Sequence, residues 1–108
     1  MFEIRFHNIS TETVSMVTAF VEEWKNDNES FKTSTSGSTG IPKEIQITKE
    51  FAENSAKMTH DFLGLQSGSQ VLLCLPISSI AGKMMVVRSI VNNYSLHVVE
   101  PSTQPLSE

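Results

Sequence analysis

A loop rich in hydroxyl groups and glycine contains the residue types in this sequence that could do chemistry. Residues 33–43 read Thr-Ser-Thr-Ser-Gly-Ser-Thr-Gly-Ile-Pro-Lys, which places six hydroxyl groups, two glycines and one lysine in eleven positions. Glycines let backbone amides approach an anion, hydroxyl groups donate further hydrogen bonds, and Lys43 adds a positive charge. Each charge-assisted hydrogen bond contributes about 1.5–3 kcal/mol, so a few of them suffice to bind a triphosphate. The composition predicts a phosphate-binding loop, and the alternative is a linker or hairpin tip without a ligand.

The spacing of this loop excludes the P-loop of GTPases and P-loop kinases. That motif requires a glycine, four residues of any type, and then Gly-Lys-Ser/Thr. The fifth residue after Gly37 is Pro42, and Lys43 is followed by Glu44. If the loop binds phosphates, it must do so with a different backbone arrangement.

The run from Thr35 to Lys43 resembles the phosphate-binding motif of the AMP-forming acyl-CoA synthetase, peptide-synthetase adenylation and luciferase superfamily. The superfamily pattern is Thr-Ser-Gly-Ser/Thr-Thr-Gly-any-Pro-Lys-Gly, and every specified position up to Lys43 matches. Glu44 departs from the pattern, because it occupies the place of the last glycine. The resemblance implies that ATP phosphates are bound by Thr35, Ser36, Gly37, Ser38, Thr39, Gly40 and Lys43.

The resemblance continues in the same order downstream and covers residues 31–105. A glycine-containing turn, the apolar residues 71–75 and Pro76 occupy the places of the superfamily's Gly-Asp turn, apolar strand and Leu-Pro. Relatives then carry Phe-His, where this chain has two serines, Ser78 and Ser79. Three positions are implied as substrate-binding, namely Ser79, Gly82 and Lys83. Lys83 is expected to face a carboxylate of the substrate, and the alternative is a lysine exposed to solvent.

The resemblance also implies a reaction and its cofactors. The 34 residues that precede the loop and the run at residues 80–88 are most similar to o-succinylbenzoate-CoA ligases of menaquinone synthesis. Such an enzyme uses ATP, Mg²⁺ and coenzyme A to convert a carboxylate into an acyl-adenylate and then an acyl-CoA. The superfamily's adenine-binding segment, Tyr-Gly-any-Thr-Glu motif, ribose-binding aspartate and catalytic lysine are not found here. We therefore expect an N-terminal fragment with no catalytic residue of its own, inactive alone.

Two other interpretations stay open. One is a small non-enzymatic α/β module that binds a partner or a nucleotide, with the loop as an ordinary turn. The other is a stand-alone homologue that binds nucleotide without catalysis, which would be consistent with Glu44 in place of glycine. A response of residues 35–43 to ATP or pyrophosphate would favour the ligase-fragment interpretation over the module with an ordinary turn.

The elements that must position the loop are predicted from hydrophobic periodicity. Strand patterns occur at residues 2–6, at an expected sheet edge, and at 31–35, 44–48, 71–75 and 95–99. Helical patterns begin after Ser10 and Thr48 and at residue 80, and Gly64 is expected to end the second helix. Phe51, Ser55, Met58 and Phe62 share one face of this second helix. We expect one α/β domain over residues 1–108, with a mixed sheet and a parallel β-α-β-α-β unit from residue 45 onward.

Composition limits the partners. With 12 acidic and 8 basic residues the net charge is −4, which argues against binding to nucleic acid. No apolar stretch is long enough to span a membrane and no signal peptide is recognisable, so we expect a cytoplasmic protein. The expected partners are a small-molecule carboxylate and a nucleotide. Apolar faces of the helix at residues 80–91 make self-association an additional expectation.

Cysteine and histidine residues give weaker indications. Cys74 lies in an apolar run, which predicts a small buried side chain, and a reactive thiol is the alternative. His7, His60 and His97 are far apart in the sequence and match no metal-ligand spacing, so no metal site is predicted.

Overall fold

The described part of the chain folds into five strands and three helices. The computed structural model describes residues 2–36 and 42–100, with the backbone alone at residues 35, 36 and 42. In chain order the elements are β1 (Glu3–Phe6), α1 (Thr11–Lys25), β2 (Ser30–Ser36), β3 (Pro42–Thr48), α2 (Lys49–Leu63), β4 (Gln70–Leu73), α3 (Ile80–Asn92) and β5 (Ser95–Val98).

The strands form two sheets. β1, β5 and β4 lie side by side in that order in a parallel sheet, while β2 and β3 form an antiparallel hairpin. The α/β class, the element order from residue 45 and the edge position of β1 are confirmed. In one detail the pairing differs from the expected unit, because β3 pairs with β2 and β1 provides the third parallel strand. A short connection such as residues 37–41 favours antiparallel neighbours, since parallel strands need a long crossover.

Short polar side chains set the start of each helix. The hydroxyl groups of Ser10, Thr48 and Ser79 accept hydrogen bonds from backbone N–H groups in the first turns of α1, α2 and α3. Gly64 ends α2 with a φ of 69°, a left-handed conformation that glycine adopts without a Cβ clash. The helix starts at Ser10 and Thr48 and the stop at Gly64 were predicted from the sequence and are confirmed.

Helix α3 is the element on which the others pack. It contacts α1, α2, β2, β4 and β5, and its residues Val86 and Val87 have no exposed surface. Full burial of a valine side chain stabilises the fold by roughly 1.5–3 kcal/mol. The hairpin is held separately against α1, where the Phe31 ring lies edge-on to Phe20, with ring centroids 5.3 Å apart. These contacts fix the hairpin relative to the parallel sheet.

The apolar stripe of α2 faces outward. Phe51, Met58 and Phe62 are 63%, 71% and 89% exposed, while Ala52 and Ala56 are fully buried. α2 packs on α3, and small alanines allow a close approach between two helices. The larger exposed apolar surface therefore lies on α2, whereas self-association was expected through α3.

The prediction that Cys74 is buried is wrong, because its side chain is exposed. β4 alternates between exposed and inward positions, with Leu72 exposed and Leu73 buried. Cys74 follows Leu73 and takes the outward parity. The continuous apolar run was interpreted as a strand covered on both faces, but within the described residues β4 is covered on one.

A buried tyrosine makes the stability of the fold decrease at alkaline pH. Tyr94 is 1% exposed, and its hydroxyl group shares a 2.7 Å hydrogen bond with Nδ1 of His60 on α2. Burial raises the pKa of Tyr94, partly offset by the positive charge of Arg88. Since the folded state holds this proton more tightly than the unfolded chain, the contribution is present below about pH 10 and is lost as the pH rises through the folded pKa.

We expect Tyr94→Phe to lower the free energy of unfolding by about 1 kcal/mol near neutral pH, because one buried hydrogen bond is lost. The difference between the original chain and Tyr94→Phe should shrink toward zero in urea unfolding at increasingly alkaline pH. Burial lowers the pKa of Lys83 and gives the opposite pH trend, but that trend is common to both proteins and cancels. A difference that stays constant from about pH 8 to about pH 11 would contradict the assignment.

Candidate functional site

The two ends of the predicted phosphate-binding loop are joined by the hairpin. β2 and β3 pair along their whole length, with Thr35 opposite Lys43 and Ser36 opposite Pro42. Of the predicted site residues, Gly37, Ser38, Thr39 and Gly40 lie outside the described residues. The backbone ladder therefore fixes where the loop leaves β2 and where it returns in β3.

Lys43 and Glu44 point to opposite faces of the hairpin. Side chains alternate along a strand, so Lys43 shares a face with Ile45 and the buried Ile47, while Glu44 shares the other face with Gln46. The acidic residue that departs from the superfamily pattern is thus a sequence neighbour of Lys43 but lies across the hairpin from it. Its charge is directed away from the face that Lys43 presents.

Thr33 is a feature of this hairpin that the sequence reasoning did not select as a site residue. Its side chain is 4% exposed, and Oγ1 has no hydrogen-bond partner among the residues that the structure describes. A buried hydroxyl group without a partner costs about 1–3 kcal/mol, and such groups in native structures call for an explanation. Thr33 pairs with Ile45 and so lies on the face of the hairpin that Lys43 presents. Counting back by two residues from the start of the motif would have found it.

A turn before α3 lies beside the base of the loop, at the end of the hairpin from which the loop leaves. Ser34 of β2 forms a parallel backbone bridge with Ser79, which is the N-cap residue of α3. The structure therefore brings the beginning of the predicted phosphate loop next to the segment that carries the predicted substrate-binding residues, 45 positions later in the sequence.

Two of those residues shape the turn itself. Oγ of Ser79 donates to the carbonyl oxygen of Pro76 at 2.7 Å and accepts from the backbone N–H of Gly82 at 3.0 Å. A Cβ atom on Gly82 would lie 2.2 Å from the same Pro76 oxygen. Ser79 and Gly82 thus hold the chain in a tight turn, and this is their direct contribution in the structure.

Lys83 is half-buried beside a cavity between α1 and this turn. Its Nζ donates to the carbonyl oxygen of Ile77 at 2.8 Å and lies 5.7 Å from the centroid of the Phe20 ring. Burial lowers the pKa of Lys83, and the negative charge of Glu23 partly offsets this effect. The cavity has a volume of about 320 Å³, and both the acidic Glu23 and the basic Lys83 line it. The other lining residues are Met16, Ala19, Phe20, Ile77 and Ser78.

Comparison with known proteins gives an informative similarity to a solved structure. No family model matches this chain, and no curated protein sequence does. Among solved structures the chain is similar to an AMP-forming acyl-CoA synthetase/AMP-acid ligase II-like protein from Dyadobacter fermentans, with 37% identity and a TM-score of 0.82. The similarity covers 93% of this chain and 29% of that protein. The fold is thus that of a part of an adenylate-forming enzyme.

The structure gives two further findings on the described ranges 2–36 and 42–100. No helix there is long and apolar enough to cross a membrane. In the same residues, no group of three or more His, Cys, Asp or Glu side chains is arranged to hold a metal ion.

Substitution of Gly82 tests the tight turn. We expect Gly82→Ala to lower the free energy of unfolding by at least about 2 kcal/mol, because the new Cβ meets backbone atoms that must shift. Ala81→Ser, at the adjacent exposed position of the same helical turn, is the matched control and should cost about 0.5 kcal/mol. Urea unfolding monitored by circular dichroism measures both, and equal stability of the two variants would refute the close approach.

Proposed function

We propose that this chain supplies the phosphate-binding part of an AMP-forming acid-CoA ligase, and that residues 35–43 hold the β and γ phosphates of ATP. The observation that carries the proposal is the hairpin, which pairs Thr35 with Lys43 at the base of the loop. The 37% identity to an AMP-forming acyl-CoA synthetase-like protein across most of the chain supports it. The chain spans 29% of that protein, so the activity of a whole enzyme is part of the proposal.

In this mechanism the loop contributes position and charge. Backbone amides and hydroxyl groups of the loop hold the terminal phosphates, and Lys43 stabilises the charge that develops on the departing pyrophosphate. The reaction itself is attack of a substrate carboxylate on the α phosphorus of ATP. Mg²⁺ would be carried mainly by the phosphate oxygens, as is usual for nucleotide substrates.

The turn at residues 76–79 sets the position of the loop relative to the substrate carboxylate. The Ser34–Ser79 bridge fixes the distance between the base of the loop and the start of α3. A substrate lodged beside α3 would therefore meet the phosphates in a constant orientation, and orientation of this kind is a major source of rate enhancement.

The finer proposal is an o-succinylbenzoate-CoA ligase of menaquinone synthesis that acts in the cytoplasm with coenzyme A as acceptor. The similarity of residues 80–88 to these ligases supports this substrate. o-Succinylbenzoate has two carboxylates, one to be activated and one to be recognised. Lys83, beside the apolar walls of the 320 Å³ cavity, is the candidate for recognition of the second carboxylate.

Loss of the Lys43 charge tests the phosphate site. We expect Lys43→Gln to weaken binding of Mg-ATP or pyrophosphate by about 10-fold or more, since a charge-assisted hydrogen bond contributes about 1.5–3 kcal/mol. Lys32→Gln is the matched control, because Lys32 is an exposed lysine on the other face of the same hairpin. Titration followed by NMR signals of residues 35–43 measures both. Equal losses of affinity in the two variants would mean that the overall charge of the hairpin, and not a contact of Lys43, determines binding.

The same titration addresses Glu44. Because its side chain lies across the hairpin from Lys43, Glu44→Gly should change the affinity by less than about 3-fold, as for a screened surface charge. A 10-fold gain would instead show that Glu44 opposes phosphate binding.

A second candidate function is nucleotide binding without catalysis, which the replacement of the superfamily glycine by Glu44 favours.

We expect the 108-residue chain to release no pyrophosphate from ATP and o-succinylbenzoate, because the proposal assigns no catalytic residue to it. A pyrophosphate-release assay checks this, with turnover by the chain alone as the contrary result. In a longer protein that contains this chain, weaker o-succinylbenzoate binding after Lys83→Ala would favour the ligase over the binding module.

A further inference from the structure

The outer edge of β4 is open in the parallel sheet. On its other side β4 pairs with β5, where the carbonyl group of Leu73 accepts a hydrogen bond from the backbone N–H of Val99. Backbone groups of successive residues point to opposite sides of a strand, so those of Gln70 and Leu72 point away from β5. Among the described residues no strand pairs on that side. We propose that this edge binds a β-strand from the part of the adenylate-forming fold that lies outside the 29% of the Dyadobacter fermentans protein matched by this chain.

The two edges of the sheet differ in charge. β1 forms the other edge and carries Glu3 and Arg5, whose charged groups lie 3.9 Å apart. Residues 69–76, which include all of β4, contain no charged side chain. Charged side chains on an edge strand hinder its pairing with a further strand, and an apolar edge without them is open to pairing. The sequence therefore protects the edge at β1 and leaves the edge at β4 available to a partner.

One face of the sheet is also uncovered at β4. Leu73 is buried, whereas Leu72 is 53% exposed, so the two side chains point to the covered and the open face. Leu75, two residues beyond the strand, is 43% exposed. Parallel sheets are usually covered on both faces, and a strand that joins in parallel is connected through a crossover helix. A partner that adds a strand to β4 and packs a helix on Leu72 would satisfy the open edge and the open face together.

The exposed stripe of α2 favours a large partner over a second copy of this chain. Phe51, Met58 and Phe62 form a further apolar surface, on a helix that packs against α3. Two copies joined through their four-residue β4 strands would share few backbone hydrogen bonds and would leave this stripe in solvent. The similar protein extends well beyond the matched 29%, so its remaining chain is long enough to cover both surfaces. The identity of the partner rests on the proposed function, whereas the open edge does not.

The test measures hydrogen exchange at the Leu72 amide by NMR of the isotope-labelled 108-residue chain. The probe is the D. fermentans protein with the matched region deleted. We expect one probe molecule to bind per chain and to slow exchange of the Leu72 amide by at least about 10-fold. The Leu73 amide faces β5 and should exchange slowly with and without the probe. A chimaera in which this chain replaces the matched region should show the same slow exchange at Leu72, because tethering raises the effective concentration.

Two substitutions at one position separate edge pairing from other contacts. Leu72→Pro removes the N–H group that points to the open edge, a change that an edge strand tolerates, and should weaken probe binding by at least about 10-fold. Leu72→Val keeps the N–H group and a side chain suited to a strand, so this matched control should bind within about 3-fold of the original chain. Circular dichroism of the free variants verifies that both are folded.

Three results would overturn the docking proposal. The first is unchanged exchange at Leu72 both in the mixture and in the chimaera. The second is equal probe binding by a folded Leu72→Pro variant and the original chain. The third is slow exchange at Leu72 in the chain alone that depends on its concentration, because a second copy would then occupy the edge. If the probe binds and slows exchange but Mg-ATP produces no response at residues 35–43, the proposed function fails while the docking surface stands.

Discussion

The close approach of Gly82 to the carbonyl group of Pro76 determines how the rest of the structure is arranged around α3. No residue with a Cβ atom fits there, since that atom would lie 2.2 Å from the Pro76 oxygen. The same carbonyl group accepts a hydrogen bond from the Ser79 hydroxyl, so the chain turns tightly between β4 and α3. α3 then runs under the parallel sheet and contacts every other helix. The turn also pairs with β2, and one short segment thus joins the sheet, the helices and the hairpin.

The candidate phosphate site uses this arrangement in two ways. The hairpin fixes the ends of the loop through the pairing of Thr35 with Lys43, and the Ser34–Ser79 bridge fixes the hairpin against α3. Lys43 and Glu44 differ in direction because a strand presents successive side chains on opposite faces. A charge of the wrong sign can therefore follow a phosphate-binding lysine directly in sequence. At the base of the loop, the buried hydroxyl group of Thr33 has no hydrogen-bond partner among the described residues. No other contact in those residues explains the free energy that its burial costs.

Much of the local structure could be predicted because it depends on local interactions. Helix caps at Ser10 and Thr48 are bonds between a hydroxyl group and an amide three residues away, and the stop at Gly64 depends on one backbone conformation. The outward stripe of α2 and the exposure of Cys74 could not be predicted in the same way. Periodicity shows that apolar residues share a face but does not say which face the rest of the fold covers. In α2 the covered face is the one with alanines, because close helix packing favours small side chains.

The sequence by itself determined the residue types of the loop, the exclusion of the P-loop spacing, the helix ends and the α/β order, since each depends on residues close together in the chain. The tertiary structure alone decided which distant residues meet. His7 and His97, 90 positions apart, form a hydrogen-bonded pair, although their spacing indicated no common site. The physical reason is the parallel pairing of β1 with β5. A crossover fold makes neighbours of the first and last strands, and no regular sequence spacing encodes that contact.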